Sequence, residues 1–166
     1  MTNIDNERQR ALTHLWKSSS VVIDLRSRSI TATWHNGCSG SRGIALDESR
    51  GFLFAGCSEG KAFTIDVNHG GKRVGSATTG TGVDVIAYSA SLRHLYVPGA
   101  ASATMAVLDV KDTGELSTLA TLPTAKGAHC VAADDQSGVW VCDPEGGRLL
   151  YWKDIAGASH STDKPN

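Results

Sequence analysis

The sequence predicts an all-β fold: a β-propeller segment of about three to four four-stranded antiparallel blades in an incomplete ring. Three observations predict it. Four short apolar runs recur with a period of about 40 to 45 residues, which is typical of propeller blades. Eighteen glycines among 166 residues suit a chain with many tight turns. Runs such as Phe52-Leu53-Phe54 are apolar on both faces, as sheets covered on both sides require.

The repeat is clearest when it is centred on residues 82–122. Ala87 in this unit corresponds to Ala45 in the unit before it and to Ala132 in the unit after it, at separations of 42 and 45 residues. We therefore expect a single propeller segment over residues 1–166. Its predicted parts are a leading partial blade, two complete blades, a trailing partial blade and a polar tail, at residues 12–34, 43–78, 84–121, 129–153 and 155–166.

Each predicted strand is a short run rich in β-branched and aromatic residues, bounded by turn residues such as Gly, Asn, Asp and Ser. The leading piece contributes LTHLW (12–16), VVIDL (21–25) and SITATW (29–34). The two complete units contribute GIALD (43–47), FLFAG (52–56), KAFTIDV (61–67) and RVGSAT (73–78), then DVIAY (84–88), HLYVP (94–98), TMAVLDV (104–110) and LSTLAT (116–121). The trailing unit stops before a fourth strand, after HCVAA (129–133), GVWVC (138–142) and RLLYW (148–152).

Charge and hydropathy give no indication of a nucleic-acid or membrane partner. Sixteen Lys and Arg balance seventeen Asp and Glu, so the net charge of -1 gives no basic footprint for nucleic acid. No run reaches the roughly 18 to 20 apolar residues that cross a bilayer, so we expect no membrane partner. The polar start has no apolar signal region, which predicts a cytoplasmic chain as written. No cofactor or metal ligand set is predicted, because the four cysteines form no C-x-x-C pair.

The candidate ligand-binding residues lie where the first strand of each blade begins, at the mouth of the central channel. Counting back three residues from Ala45, Ala87 and Ala132 gives Arg42, Asp84 and His129. The three differ at a position that the scaffold treats as equivalent. An arginine holds anions, a histidine exchanges protons near neutrality, and an aspartate orients it or binds a cation. The alternative is a solvated channel mouth with ordinary polar residues.

Residues 20–145 resemble the YVTN-repeat β-propeller family, and specifically its YncE-like members. The stretches that carry the resemblance are VVIDLRSRSITATW, GCSGSRGIALDESRGFLFAGC, IDVNHGGKRVGSATTGTGVDVIAY, LDVKDTGELSTLATLPTAKGAHCVAADDQSGVWV and the triplet Leu95-Tyr96-Val97. The chain departs from the family tetrapeptide at Pro98-Gly99. The match is to the C-terminal half of a longer, exported propeller, which implies a fragment and a periplasmic location for full-length relatives.

The resemblance implies a non-catalytic scaffold that binds a small ligand or a protein. The expected partners are a missing propeller half or a second copy, with the leading strands of one chain completing the trailing blade of the other. The alternative function is a metal-assisted lactone or ester hydrolase like the gluconolactonase-type propellers, which would use Arg42, Asp84 and His129. Only Asp84 and His129 are available there as metal ligands.

The predicted hairpins bring the two cysteines of each of two pairs close together. Cys57 is expected near Ser41, so that a bent loop brings Cys38 within disulfide range, and the resemblance supports this bond. Cys130 and Cys142 are expected to face each other across the third hairpin. Buried free thiols are the alternative for both pairs. An oxidised bond would imply an oxidising compartment, in conflict with the expectation of a cytoplasmic chain.

Overall fold

The computed structural model describes residues 1–134 and 136–155, which form fifteen strands in four separate antiparallel sheets, here called blades 1 to 4. Blade 1 contains β1 (Thr2–Asp5), β2 (Arg10–Leu15), β3 (Ser19–Asp24) and β4 (Ser29–His35), and blade 2 contains β5 (Ser41–Asp47), β6 (Phe52–Cys57), β7 (Lys61–Asp66) and β8 (Lys72–Thr78). Blade 3 contains β9 (Ala87–Ser89), β10 (His94–Gly99), β11 (Thr104–Val110) and β12 (Leu116–Pro123), and blade 4 contains β13 (Val131–Ala133), β14 (Gly138–Asp143) and β15 (Arg148–Lys153).

Within every blade the strands lie side by side in chain order. The first strands of successive blades (β1, β5, β9 and β13) contact one another and form the inner edge of the array, while β8 and β12 contact each other on the outer edge. This is the arrangement of propeller blades around an axis. The predicted all-β propeller segment is therefore confirmed, and the ring is not closed. Among the described residues, no helix is long and apolar enough to cross a membrane.

Blade 1 is larger than the sequence predicted. The leading piece was expected to be a partial blade from residue 12, but the sheet starts at Thr2 and has four strands. All four strands are paired, so no leading strand is free to complete the trailing blade of another chain as expected. The trailing blade has three described strands. Of the predicted polar tail, residues 156–166 lie outside the described residues.

The turn between the first and second strands is the same in all four blades. One residue of this turn has a positive φ, and its carbonyl accepts a hydrogen bond from the backbone N–H of the residue that ends or directly follows the third strand. The four turn residues are Gln9, Gly51, Arg93 and Ser137, and their donors are Leu25, Val67, Val110 and Asp154, at 3.0, 3.0, 2.9 and 2.7 Å. The repeat therefore extends to backbone hydrogen bonds that close each blade at one end.

Among the described residues the core forms three apolar clusters, one between each pair of successive blades. The middle of every second strand supplies one residue to each side. Leu12, Phe54 and Tyr96 pack toward the following blade, and the partners that meet them are Leu53, Leu95 and Val139. All six are at most 1% exposed. Burial of both faces explains why these runs do not alternate between apolar and polar residues.

Polar side chains tie neighbouring blades together at their edges. Asp47 accepts hydrogen bonds from Arg50 (2.6 Å) and from the Tyr88 hydroxyl of blade 3 (2.7 Å), and Arg50 also donates to the Val110 carbonyl. Burial alone would raise the pKa of Asp47, but the hydrogen bonds from Tyr88 and Arg50 outweigh it and lower that pKa. Burial raises the pKa of Tyr88 far above its usual range, so its hydroxyl stays a donor.

A buried histidine makes a second tie, between blades 1 and 2. His14 Nδ1 lies 2.7 Å from the Ser20 hydroxyl, and Nε2 lies 3.2 Å from the Phe54 carbonyl. Nε2 therefore carries the proton and donates to the carbonyl, while Nδ1 accepts from Ser20. Burial lowers the pKa of His14 to about 4, so the imidazole is neutral at physiological pH.

We expect this histidine to make stability depend on pH. The unfolded imidazole binds a proton near pH 6.5 and the folded one near pH 4, so acidification between these values favours the unfolded chain. The free energy of unfolding should fall by up to about 3 kcal/mol over this window because of His14 alone. Urea unfolding across the pH range should show a weaker slope for His14→Gln and an unchanged slope for the exposed control His35→Gln. Parallel profiles for all three proteins would contradict the role of His14.

Candidate functional site

The inner edge brings together the three segments that carry the predicted site residues. Arg42 lies in β5, whereas Asp84 and His129 lie just before β9 and β13. Gly43 packs so closely on blade 3 that a Cβ there would lie 3.1 Å from the Asp84 carbonyl oxygen. The Val85 N–H donates to the His129 carbonyl at 3.1 Å. The three positions therefore occupy consecutive places on one rim, as equivalent positions in successive blades should.

The side chains of these residues are engaged separately. The Arg42 guanidinium lies 4.1 Å from the centre of the Trp16 ring, a cation–π distance. His129 Nδ1 lies 2.7 Å from the Gly127 carbonyl oxygen. Asp84 is half-buried, and Arg42 and His129 are exposed. In residues 1–134 and 136–155, no hydrogen bond or ion pair joins these three side chains. The rim therefore presents the three side chains separately and does not assemble them into a catalytic triad.

Trp16, which directly follows β2, is a further residue on this rim. It is 71% exposed and lies under the Arg42 guanidinium. The pair joins the end of blade 1 to the first strand of blade 2. A flat aromatic ring with a cation above it offers an exposed surface for acidic and apolar groups. No local pattern in the sequence shows this pairing, because it depends on how two blades meet.

The loop that leads into Arg42 is rigidly held. Cys38 and Cys57 form a disulfide with a Cα–Cα distance of 5.1 Å, and both residues are fully buried. The Asn36 side-chain oxygen accepts from the Cys38 N–H and from the Ser41 hydroxyl. The Glu59 carboxylate accepts from the backbone N–H groups of residues 39 and 40, at 2.6 and 3.1 Å. These contacts fix where β5 begins and therefore where Arg42 stands.

The same contacts determine whether the side chains around the disulfide can bind a metal ion. Within the described part of the chain, the group of metal-ligating side chains that lie close together is Cys38, Cys57 and Glu59. The two sulfur atoms are bonded to each other. Both oxygens of Glu59 accept backbone hydrogen bonds. In this state the cluster holds the loop and offers no thiolate to a metal.

Cys130 and Cys142 face each other next to His129, as the third hairpin predicted, and both are free thiols. The Cys142 N–H donates to the Cys130 carbonyl at 3.2 Å, and the Cys130 N–H donates to Cys142 Sγ at 3.1 Å. Burial, together with hydrogen bonding to Cys142, raises the pKa of the Cys130 thiol. A protonated thiol is a weak nucleophile and a weak metal ligand, so the environment of Cys130 does not indicate a reactive centre.

Two cavities lie away from this rim. One, of about 560 Å³, opens between β8 and β12 and is lined in part by Arg73, Lys111 and Glu115. The other, of about 240 Å³, lies between β12 and β15 and is lined mainly by apolar residues, among them Met105 and Trp152. Neither is lined by Arg42, Asp84 or His129. The predicted rim site therefore lies outside both cavities, and its Arg42 and His129 side chains are exposed.

Comparison with known proteins supports the fold and leaves the family open. No family model and no curated protein sequence matches the chain. Among solved structures it is similar to a chain in the crystal structure of the mitotic checkpoint complex, with a TM-score of 0.79 and 12% identity over 92% of this chain and 48% of that one. It is also similar to Kuenenia stuttgartiensis hydrazine synthase, with a TM-score of 0.70 and 15% identity over 90% and 47%. The chain spans about half the length of either.

We expect the disulfide to contribute strongly to stability. It closes a loop with a sequence separation of 19, and restricting such a loop in the unfolded chain is worth about 3 kcal/mol. The double variant Cys38→Ala/Cys57→Ala should lose about that much free energy of unfolding in urea. The control Cys130→Ala/Cys142→Ala should lose less free energy of unfolding than this variant, because it removes no disulfide. Dithiothreitol should destabilise the wild type and the control but leave the first variant unchanged. A wild type that is insensitive to dithiothreitol would contradict the bond.

Proposed function

We propose that this chain is a YncE-like β-propeller scaffold of the YVTN-repeat kind that binds a protein segment at its inner rim and has no catalytic activity of its own. The observation that carries the proposal is that the buried polar side chains and the exposed rim side chains have different uses. Buried carboxylates and imidazoles are used to hold blades and turns together, while the rim exposes Trp16, Arg42 and His129 beside the half-buried Asp84.

The structural use of the carboxylates argues for binding over catalysis. Asp5 pairs with Arg8 and Arg10, Asp47 pairs with Arg50, and Asp143 pairs with Arg148. Asp154 accepts from Tyr96 at 2.7 Å and contacts His94 Nδ1 at 2.6 Å, which ties blade 4 to blade 3. These carboxylates hold turns and neighbouring blades together, and none of them is among the predicted rim residues.

A protein segment with acidic and aromatic side chains fits the exposed groups of the rim. The Arg42 guanidinium binds carboxylates, and the Trp16 ring adds apolar area beside it. His129 adds a further donor or acceptor. One of the similar structures belongs to a complex, which accords with protein binding on this fold. The rim is open, as surfaces that receive protein segments commonly are.

The hydrolase alternative has less support. A lactone or ester hydrolase of the propeller type gathers several carboxylate and amide oxygens on one metal. Of the predicted site residues, only Asp84 offers a carboxylate. His129 contacts the Gly127 carbonyl and the Cys142 sulfur. The donor set therefore does not match the oxygen-rich chemistry of a calcium-type site.

The disulfide supports an oxidising location. Disulfides persist in the periplasm and outside the cell and are rare in the cytosol. The fully buried Cys38–Cys57 bond agrees with the exported location that the resemblance implies, and it weighs against the cytoplasmic location predicted from the start of the chain. We therefore propose a periplasmic or extracellular scaffold.

Peptide-display selection on the immobilised chain tests the binding function. Selected peptides should be rich in acidic and aromatic residues. They should bind the rim variant Arg42→Ala/His129→Ala about tenfold more weakly, as the loss of about 1.4 kcal/mol requires. The control Arg26→Ala/His69→Ala removes the same residue types from exposed turns at the opposite end of blades 1 and 2, and it should bind like the wild type. Peptides that bind both variants equally, or a selection that yields none, would contradict a rim site.

An assay of ester and lactone hydrolysis distinguishes the scaffold from the hydrolase. Chromogenic esters and a δ-lactone, tested with added calcium or zinc, should show no turnover above the buffer rate. Metal-dependent turnover that is lost in Asp84→Asn would overturn the scaffold proposal and favour the enzyme.

A further inference from the structure

Blade 1 presents an open face that carries the same row of residues that the other blades bury. Cross-strand pairing aligns Ile4, Ala11, Ile23 and Ile30 across the four strands. The equivalent rows in blades 2, 3 and 4 pack against the preceding blade, and they are Leu46-Leu53-Ile65, Tyr88-Leu95-Leu108 and Ala133-Val139-Trp152. Leu53, Ile65, Leu95 and Leu108 are all 0% exposed. In the row of blade 1, Ile4 is 46% and Ile30 is 64% exposed, Ile23 is half-buried, and the small side chain of Ala11 between them is 7% exposed.

Blade 4 presents the opposite half of this interface. Pairing aligns Ala132, Trp140 and Tyr151 on the face turned away from blade 3. The equivalent rows, Ala45-Phe54-Thr64 and Ala87-Tyr96-Val107, lie on the faces of blades 2 and 3 that meet the following blade. Tyr151 is 57% exposed, and its ring packs on Trp140 with 5.3 Å between centroids. An apolar face of this kind indicates a partner.

The two open faces match each other in volume. Each interface inside the chain pairs the middle residues of two second strands, namely Leu12 with Leu53, Phe54 with Leu95 and Tyr96 with Val139. At the open ends the corresponding residues are Trp140 and Ala11. The largest apolar side chain would thus meet the smallest, which keeps the volume of the pair near that of the interior ones. This complementarity points to another copy of the same chain.

We propose that the partner of both open faces is a second copy of this chain, with blade 4 of each copy packed on blade 1 of the other. Two copies of four blades make eight, within the four to eight blades that propellers commonly have. The contact joins unlike faces, and a two-fold axis through the channel repeats it, so the ring closes without a free face. No strand is exchanged, because β1 to β4 are already paired within blade 1.

Light scattering coupled to size exclusion tests the proposal on the full chain. The wild type should have twice the chain mass of 17.5 kDa. Ile23→Lys and Tyr151→Glu, each placing a charge in the middle of one open face, should each run at the mass of one chain. The control Thr121→Lys places a charge on the outer strand β12, away from both faces, and should keep the double mass. Circular dichroism melts should show that all variants remain folded.

Mixing the two face variants gives the sharper result. Ile23→Lys retains an intact blade 4 face and Tyr151→Glu retains an intact blade 1 face, so together they form one native contact and one contact between Lys and Glu. The mixture should therefore regain the double mass. A wild type at the mass of one chain, or at more than two chains, would overturn the proposal. It would also be overturned if only one variant dissociated, since that is the mark of contact between like faces.

Discussion

The packing of one sheet face on another is the constraint on which the rest of this structure depends. Each blade is a small sheet that is apolar on both sides, and a sheet of three or four strands cannot bury both sides by itself. Neighbouring blades cover them, as in the clusters that hold Leu12 with Leu53 and Tyr96 with Val139. Because strand pairing stays within each blade, side-chain packing is the main contact between blades.

Polar contacts fix the position of each blade relative to its neighbour. The tie of Asp47, Arg50 and Tyr88 joins blades 2 and 3 at one edge, and His14 joins blades 1 and 2 through the Phe54 carbonyl. The Cys38–Cys57 disulfide fixes the loop that sets the position of β5. Such contacts require defined geometry, so they select one register of blade on blade where apolar surfaces alone would allow sliding. These contacts therefore also determine where the residues of the rim lie.

The sequence predicts the central blades better than the ends, and it predicts positions better than side-chain directions. The four strands of blade 2 coincide with the apolar runs of residues 43–78, because these runs are long and separated by turn residues. The first strand was missed because it is polar, although Asp5 and Arg8 repeat the spacing of Asp47 and Arg50 at a separation of 42. The repeat placed Arg42 on the rim, but nothing local could show that it stacks on Trp16, since that contact forms between blades.

Coupling between residues on different blades tests the central claim most directly. Phe54 and Leu95 lie on separate sheets and meet in one cluster. A double-mutant cycle with Phe54→Leu and Leu95→Ala, measured by urea unfolding, should give a coupling free energy of about 1 kcal/mol, whereas Phe54→Leu with Val139→Ala, which lie in different clusters, should be additive. Additive effects for Phe54 and Leu95 would contradict the stacking of blades.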